Sequence, residues 1–309
     1  MSDSLLEGHP STAPPGGTAQ DGGSETVGAL HQRLAAQLAA AGVPEPRAEA
    51  RDMIAALLDV PRLWPTVNPT SLVASSTAAE IDRAAAHRAA GAPFAYAVGR
   101  APFRHLTLAV DERVLIPRQE TELLPEIVFE MVRGTGGVAV DVGTGSGAIA
   151  LALATEGQFD SVIATDVSLD ALEVARANAL LLRDSLRAPV QFMHGAGLQP
   201  LAGSRVRVIV SNPPYIAFDE MDALPSSVRD WEPAVALCCG DEGLDVTAAI
   251  VRDAGNILEP GGLLVLEADA RRASEVARRI VADGRYSDVA VRPDLTGRER
   301  FVVALRTGR

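Results

Sequence analysis

The chain has 309 residues, 47% hydrophobic and 22% charged, which is ordinary material for one large or two small domains with a core. Forty acidic residues against 28 basic ones give a net charge of -12, which argues against non-specific nucleic-acid binding, a process that draws on clustered cations. All of those cations are Arg, so lysine Schiff-base chemistry and a P-loop lysine are excluded.

Residues 1–27 are mostly Gly, Pro, Ser, Thr and acid, which predicts a disordered tail. Asp3 and Glu7, with no basic or apolar region, distinguish it from a secretory signal. Residues 28–92 read as a small helical domain. Leu30, Leu34 and Leu38 recur every four positions. The segment Arg47–Leu58, introduced by Pro44 and Pro46, puts Ala50, Ile54, Leu57 and Leu58 on one face. A third helix is predicted from Thr77, with Glu80 at the capping-box spacing, to about Ala90.

From Phe94 to Pro117 the period becomes two. Leu106, Leu108 and Val110 alternate with His105, Thr107 and Ala109, as in a half-buried strand. Its predicted partner is Val114-Leu115-Ile116, across Asp111-Glu112-Arg113, making residues 93–118 a β-hairpin linker.

Residues 119–309 alternate strand and helix. Strands are predicted at Val138–Val142, Val162–Thr165, Val190–Met193, Val206–Val210, Leu263–Leu266 and Phe301–Leu305. Helices are predicted at Ser146–Glu156, Leu169–Leu182, Val246–Leu258 (closed by Pro260-Gly261-Gly262) and Ser274–Val281. Uncharged runs such as Ala148–Ala154 fall far short of the ~20 apolar residues of a membrane span. Such alternation predicts an α/β, Rossmann-like domain: a mainly parallel sheet, helices on both faces, and ligands at the carboxyl ends of the strands. The only cysteines, Cys238 and Cys239, are adjacent. They suit neither a disulfide framework nor a metal site, and read as small buried hydrophobes of a cytoplasmic chain; no metal is expected.

Two motifs carry chemistry. Asp141-Val142-Gly143-Thr144-Gly145-Ser146-Gly147 follows the first of these strands and opens a helix. Its glycines allow a tight turn and let backbone N–H groups approach a ligand. Its G-x-G-x-G spacing departs from the G-x-G-x-x-G of dinucleotide folds. Asp166 ends the next strand, where a carboxylate can hold both hydroxyls of a ribose. The alternative is a Gly-rich turn beside solvated acids.

The second motif is Asn212-Pro213-Pro214-Tyr215, just after the strand Val206–Val210. An amide or aromatic-amine nitrogen is a poor nucleophile because its lone pair is delocalised. Two acceptors on its two N–H bonds hold it, aim the lone pair and stabilise the growing positive charge. The Asn212 side-chain oxygen and the Pro213 carbonyl can be those acceptors. Pro214, with fixed φ and no N–H, stiffens the loop, and Tyr215 offers a ring face to a planar group.

These residues resemble the class I S-adenosylmethionine (SAM)-dependent amino-methyltransferases. Further stretches narrow the resemblance to the peptide chain release factor glutamine methyltransferases (the HemK/PrmC family). They are Gly91-Ala92-Pro93-Phe94-Ala95-Tyr96-Ala97-Val98-Gly99, Leu115-Ile116-Pro117-Arg118-Gln119-Glu120-Thr121-Glu122 and Trp231-Glu232-Pro233. Asp241-Glu242-Gly243-Leu244-Asp245 and Asp294-Leu295-Thr296-Gly297-Arg298-Glu299-Arg300 are similar too. The resemblance implies methylation of the glutamine in the Gly-Gly-Gln loop of release factors, with SAM as donor and the helical domain binding the protein substrate. It implies that Asp141, Gly143, Thr144, Gly145, Ser146, Gly147, Asp166 and Gly197 serve SAM. Arg118 and Thr121, with Glu120, would line the mouth near the cofactor or else fix the hairpin against the sheet. Asn212, Pro213, Pro214 and Tyr215 would take the glutamine amide, Asn212 also facing SAM. The family usually has an acid and a bulky residue near the adenine, where this chain has Ala196 and Gly197; it often has Gly and Gln where this chain has Ala268-Asp269-Ala270-Arg271-Arg272.

A monomer acting on a release factor, with no membrane and no direct nucleic-acid substrate, is the expectation. Other readings are methylation of another protein's glutamine or of a nucleic-acid base amino group, or a diverged SAM-binding paralogue.

Overall fold

The computed structural model describes residues 25–132, 134–240 and 242–308. The predicted tail lies outside them up to residue 24. Its last three residues are structured: β1 (Glu25–Thr26) pairs antiparallel with β2 (Leu72–Val73), and Thr26 caps α1 (Val27–Ala40) by accepting from Ala29 N.

Leu30, Leu34 and Leu38 of α1 are fully buried against α2 (Pro46–Leu58), where Pro46 occupies the first turn. A short α3 (Trp64–Val67) precedes β2. The next helix, α4 (Ser75–Ala89), starts two residues before the predicted Thr77 and has no side-chain cap. Phe94, predicted to open the period-two region, instead starts a helical turn, α5 (Phe94–Val98), closed by Gly99 at φ 69°.

The hairpin contains the predicted strand but not the predicted partner. β3 (Arg100–Phe103) pairs with β4 (Leu106–Ala109), Phe103 opposite Leu106. Its two-residue turn puts Arg104 at φ 53°, a left-handed conformation usually advertised by Gly or Asn. Glu156 holds that Arg in place, accepting from Nε at 2.8 Å and Nη2 at 2.7 Å. The Val114-Leu115-Ile116 run is loop, and Val114 O accepts from the buried Tyr96 hydroxyl at 2.5 Å.

The remaining elements are α6 (Leu123–Met131), β5 (Val138–Val142), α7 (Ala148–Glu156), β6 (Ser161–Asp166), α8 (Leu169–Leu181), β7 (Val190–His194) and β8 (Val206–Ser211). Then come α9 (Ser226–Arg229), α10 (Ala234–Leu237), α11 (Asp245–Ile257), β9 (Leu258–Glu267), α12 (Ala273–Asp283), β10 (Tyr286–Pro293) and β11 (Glu299–Arg306). The Pro260-Gly261-Gly262 predicted to close a helix lies inside β9. α7 starts two residues after the predicted Ser146, because Gly147 sits at φ 86°.

The sheet order is β10-β11-β9-β8-β5-β6-β7. β9, β8, β5, β6 and β7 run parallel; β11 and β10 add antiparallel at one edge. Alternate residues face opposite cores, as the pleat requires. Ala139, Val208, Val210, Val265 and Val303 pack with α7; Val140, Ile209, Leu264, Leu266 and Val302 pack with α11 and α12. From β5 the chain moves to β6 and β7 on one side, then crosses to β8 on the other. The crevice at that reversal lies beyond the carboxyl ends of the strands.

Candidate active site

Three neighbouring strands, β6, β5 and β8, end at this crevice and each delivers one motif. Ser211 Oγ donates to Val142 O at 2.7 Å, locking the end of β8 to the end of β5 and setting Asn212 beside Gly143. After β5, Gly143, Gly145 and Gly147 all have positive φ. A Cβ at Gly143 or Gly145 would meet nothing within 4 Å, so this face of the turn is open, whereas at Gly147 it would press on Leu151 and Ala175. Gly143 N and Thr144 N donate to Thr165 O, at 2.8 and 2.9 Å.

Asp141 supports the turn from behind. Its Oδ2 accepts from Thr144 Oγ1 at 2.7 Å and from Ala150 N at 3.0 Å. It is wholly buried, Oδ1 has no hydrogen-bond partner, and burial pushes its carboxyl up to about 7. Asp166 faces the crevice: Oδ2 accepts from Gly145 N and Oδ1 from Ser168 N, both at 2.9 Å. Each oxygen keeps acceptor capacity for an incoming hydroxyl.

A cavity of about 430 Å³ occupies the crevice, the size of a small-molecule site. Gly143, Gly145, Asp166, Gly197, Asn212, Pro213 and Pro214 line it. Ala196 and Gln199, which follow β7 in the chain, line it too. A second cavity of about 390 Å³ adjoins it, with Asn212, Pro213, Tyr215, Arg118 and Glu220 in its wall. Asn212 and Pro213 therefore belong to both walls, and the proline-locked corner partitions the two spaces.

Asn212 is oriented by a residue far away in sequence: its Nδ2 donates to Thr121 Oγ1 at 3.1 Å. Thr121 is buried and, with Arg118, is not in the first cavity's wall. The Arg118 guanidinium instead donates to Glu232 Oε1 at 2.5 Å, joining the segment before α6 to the Trp231-Glu232-Pro233 stretch. Neither side chain lines the first cavity, and Thr121 reaches its wall through Asn212. Burial pushes the Tyr215 phenol up to about 12, so it stays neutral near pH 7.

Glu220, in the second cavity's wall, is clamped by Arg271 Nη1 and Arg272 Nη2, each at 2.8 Å, and caps Ala217 N at 3.0 Å. The Ala268–Arg272 stretch that departs from the family pattern thus supplies both arms of the clamp. Cys239 is more than a small hydrophobe: its thiol donates to Pro214 O at 2.8 Å, bracing the corner, while Cys238 lines the first cavity. Asp241, within one of the similar stretches, lies outside the described residues.

Sequence reasoning passed over Glu267, the last residue of β9. Its carboxyl is buried and is pushed up to about 7 by burial, against Thr121 and Arg300, which favour the charged form. The only sequence signal is an acid closing the apolar run Leu263–Leu266.

Residues 29–99 match the PrmC N-terminal domain, and residues 120–224 match the methyltransferase small domain. The release factor glutamine methyltransferase of Moorella thermoacetica is 40% identical over 273 residues, 87% of this chain and 95% of the relative. That of Deinococcus radiodurans is 38% identical over 280 residues, 90% of this chain and 98% of the relative. In fold, the chain is similar to the hMettl16 catalytic domain, with a TM-score of 0.53 and 15% identity over 78% of this chain and 85% of that one. No helix among the described residues is long and apolar enough to cross a membrane.

Proposed function

The chain belongs to the release factor glutamine methyltransferase family, and from that premise we propose that it transfers a methyl group from SAM to the side-chain amide nitrogen of the glutamine in the Gly-Gly-Gln motif of peptide chain release factors. The observation that carries this reading is the shared wall. Asn212 and Pro213 face a cavity suited to the donor on one side and a second cavity on the other.

The residues present suit SAM. The open faces of Gly143 and Gly145 can cradle its methionine part, backed by Asp141, Thr144, Ser146 and Gly147. Asp166 would accept from the ribose hydroxyls, with Gly197 beyond it toward the adenine. Ala196 has no side-chain acceptor for the adenine amino group, which leaves backbone contacts there.

Bound SAM supplies an electrophilic sulfonium methyl. Asn212 Oδ1 and the Pro213 carbonyl would accept from the two N–H bonds of the glutamine amide, leaving its lone pair directed at that methyl. Pro214 keeps the corner rigid and Tyr215 packs on the planar amide. The N–C bond forms as the S–CH3 bond breaks, leaving S-adenosylhomocysteine. The methylated amide is acidic and gives its proton to water, so no protein base is required. Tyr215, held as the neutral phenol, cannot serve as a base.

We assign the enzyme to the cytoplasm as a monomer, with the release factor and not nucleic acid as its substrate; Arg118, paired with Glu232, shapes the second cavity rather than the donor site. Tritiated-methyl transfer, run with release factor and with nucleic acid, tests the assignment. Label on the release factor that disappears when its loop glutamine is replaced supports it; label on nucleic acid refutes it.

A further inference from the structure

We propose that Gln199 determines the base specificity of the donor site: its carboxamide takes the hydrogen-bonding edge of the adenine of SAM. The inference rests on the reading of the first cavity as the donor site, and it names the side chain that reads the base there.

The order of the strands places that base. Passing along the carboxyl ends from β8 through β5 and β6 to β7, the chain presents Asn212, then Gly143 and Gly145, then Asp166, then the segment Ala196–Gln199. The proposed transfer requires the sulfonium beside Asn212, and Asp166 takes the ribose. In SAM the ribose joins the sulfur to the base. A ribose at Asp166 whose sulfur side faces β8 therefore directs the base toward β7. The segment after β7 is tied to the end of β6 and so to the ribose position: Gly195 N donates to Asp166 O at 2.9 Å, and Thr165 Oγ1 donates to Gly197 O at 3.0 Å.

Ala196, Gly197 and Gln199 all line the cavity, and of the three only Gln199 has a polar side chain. A Cβ at Gly197 would meet nothing within 4 Å, so a planar group has room against that backbone. Gln199 is exposed and opens a single helical turn, Gln199–Leu201. Its backbone N–H is used by Ala196 O at 3.1 Å, but its carboxamide bonds no other described residue. Other polar side chains of the same wall are committed: Ser168 Oγ accepts from Ala171 N, Ser211 Oγ donates to Val142 O, and Arg113 pairs with Asp111. Adenine sets an amino group that donates beside a ring nitrogen that accepts. A carboxamide sets an oxygen and an NH2 against them in one plane. Ala196 and Gly197 have only backbone to offer, so recognition of both atoms together falls to Gln199.

Titration calorimetry with two ligands tests this: S-adenosylhomocysteine and the analogue whose base is purine without the 6-amino group. The wild type should prefer S-adenosylhomocysteine about five- to tenfold, the effect of one hydrogen bond made in competition with water. The preference should shrink below about twofold in Gln199→Ala and in Gln199→Leu, which keeps the bulk and loses the bond. It should persist in Gln199→Glu, which still accepts from the amino group. A wild type that binds the two ligands alike, or a preference undiminished in Gln199→Ala, overturns the proposal and leaves the donor site standing. A wild type that binds neither ligand refutes the donor-site reading, and the proposal with it. Should Gln199→Ala not fold, the Leu and Glu variants decide between a bond and mere bulk.

Discussion

Asp166 Oδ2 accepts a hydrogen bond from Gly145 N at 2.9 Å, so the acid that ends β6 also fixes the glycine turn that follows β5. In the proposed reading, one carboxylate would thereby organise both the ribose and methionine parts of the donor site. Replacing Asp166 with Ala should weaken SAM binding by tens to hundreds of fold, the loss of about 2–3 kcal/mol from charge-assisted bonds. Calorimetry checks the affinity, and the rise in melting temperature that SAM gives the wild type should disappear in the variant.

In the proposed reading, Asn212 acts in the other direction, on the methyl acceptor. Asn212→Ala should leave SAM affinity within about threefold while kcat drops on the order of 10²–10³, because the lost bonds strengthen as charge develops on the attacking nitrogen. Single-turnover methyl transfer with saturating SAM separates the two effects. Undiminished turnover would mean that the amide is held elsewhere.

Glu232 ties the segment before α6 to the stretch leading into α10, whose Ala236 lines both cavities, accepting from Arg118 and, at 3.3 Å, from Ile116 N. Its side chain is 1% exposed, but Arg118 is 33% exposed. Glu232→Ala should therefore cost about 2–3 kcal/mol, below the full value for breaking a buried pair. Urea unfolding measures that loss, and KM for the release factor should rise more than KM for SAM.

Asp141 makes stability depend on pH with an unusual sign. Its folded carboxyl titrates near 7, above the ordinary carboxyl range. Between those values the folded chain holds a proton that the unfolded chain has lost, so this contribution to stability falls as pH rises. The loss between pH 6 and 8 should be about 1.4 kcal/mol, and Asp141→Asn should remove it. The difference between wild type and variant in urea midpoints at pH 6, 7 and 8 isolates the effect; parallel slopes would contradict it. Glu267, also raised to about 7 by burial, carries the same sign.

The site was legible wherever chemistry and sheet position coincide locally. The glycine turn, Asp166 and the Asn-Pro-Pro-Tyr corner each follow a strand, and their residue types announce their use. What escaped depends on distant partners. Thr121 and Asn212 are 91 positions apart and Arg118 and Glu232 are 114, and no local pattern reveals either pairing. The hairpin was misassigned because Arg104 takes a turn conformation that Gly or Asn would have signalled. The edge strand β10 has weak alternation, a bulge and Asp288 at φ 53°, and α6 carries Pro125 in its first turn. Both elements owe their form to neighbours already in place.

A crystal structure with S-adenosylhomocysteine and a Gly-Gly-Gln peptide tests the central claim most directly. The glutamine amide nitrogen should lie within hydrogen-bond distance of both Asn212 Oδ1 and the Pro213 carbonyl oxygen, with its open side toward the sulfur. An amide held by other groups, or a corner turned away from the sulfur, would contradict the account.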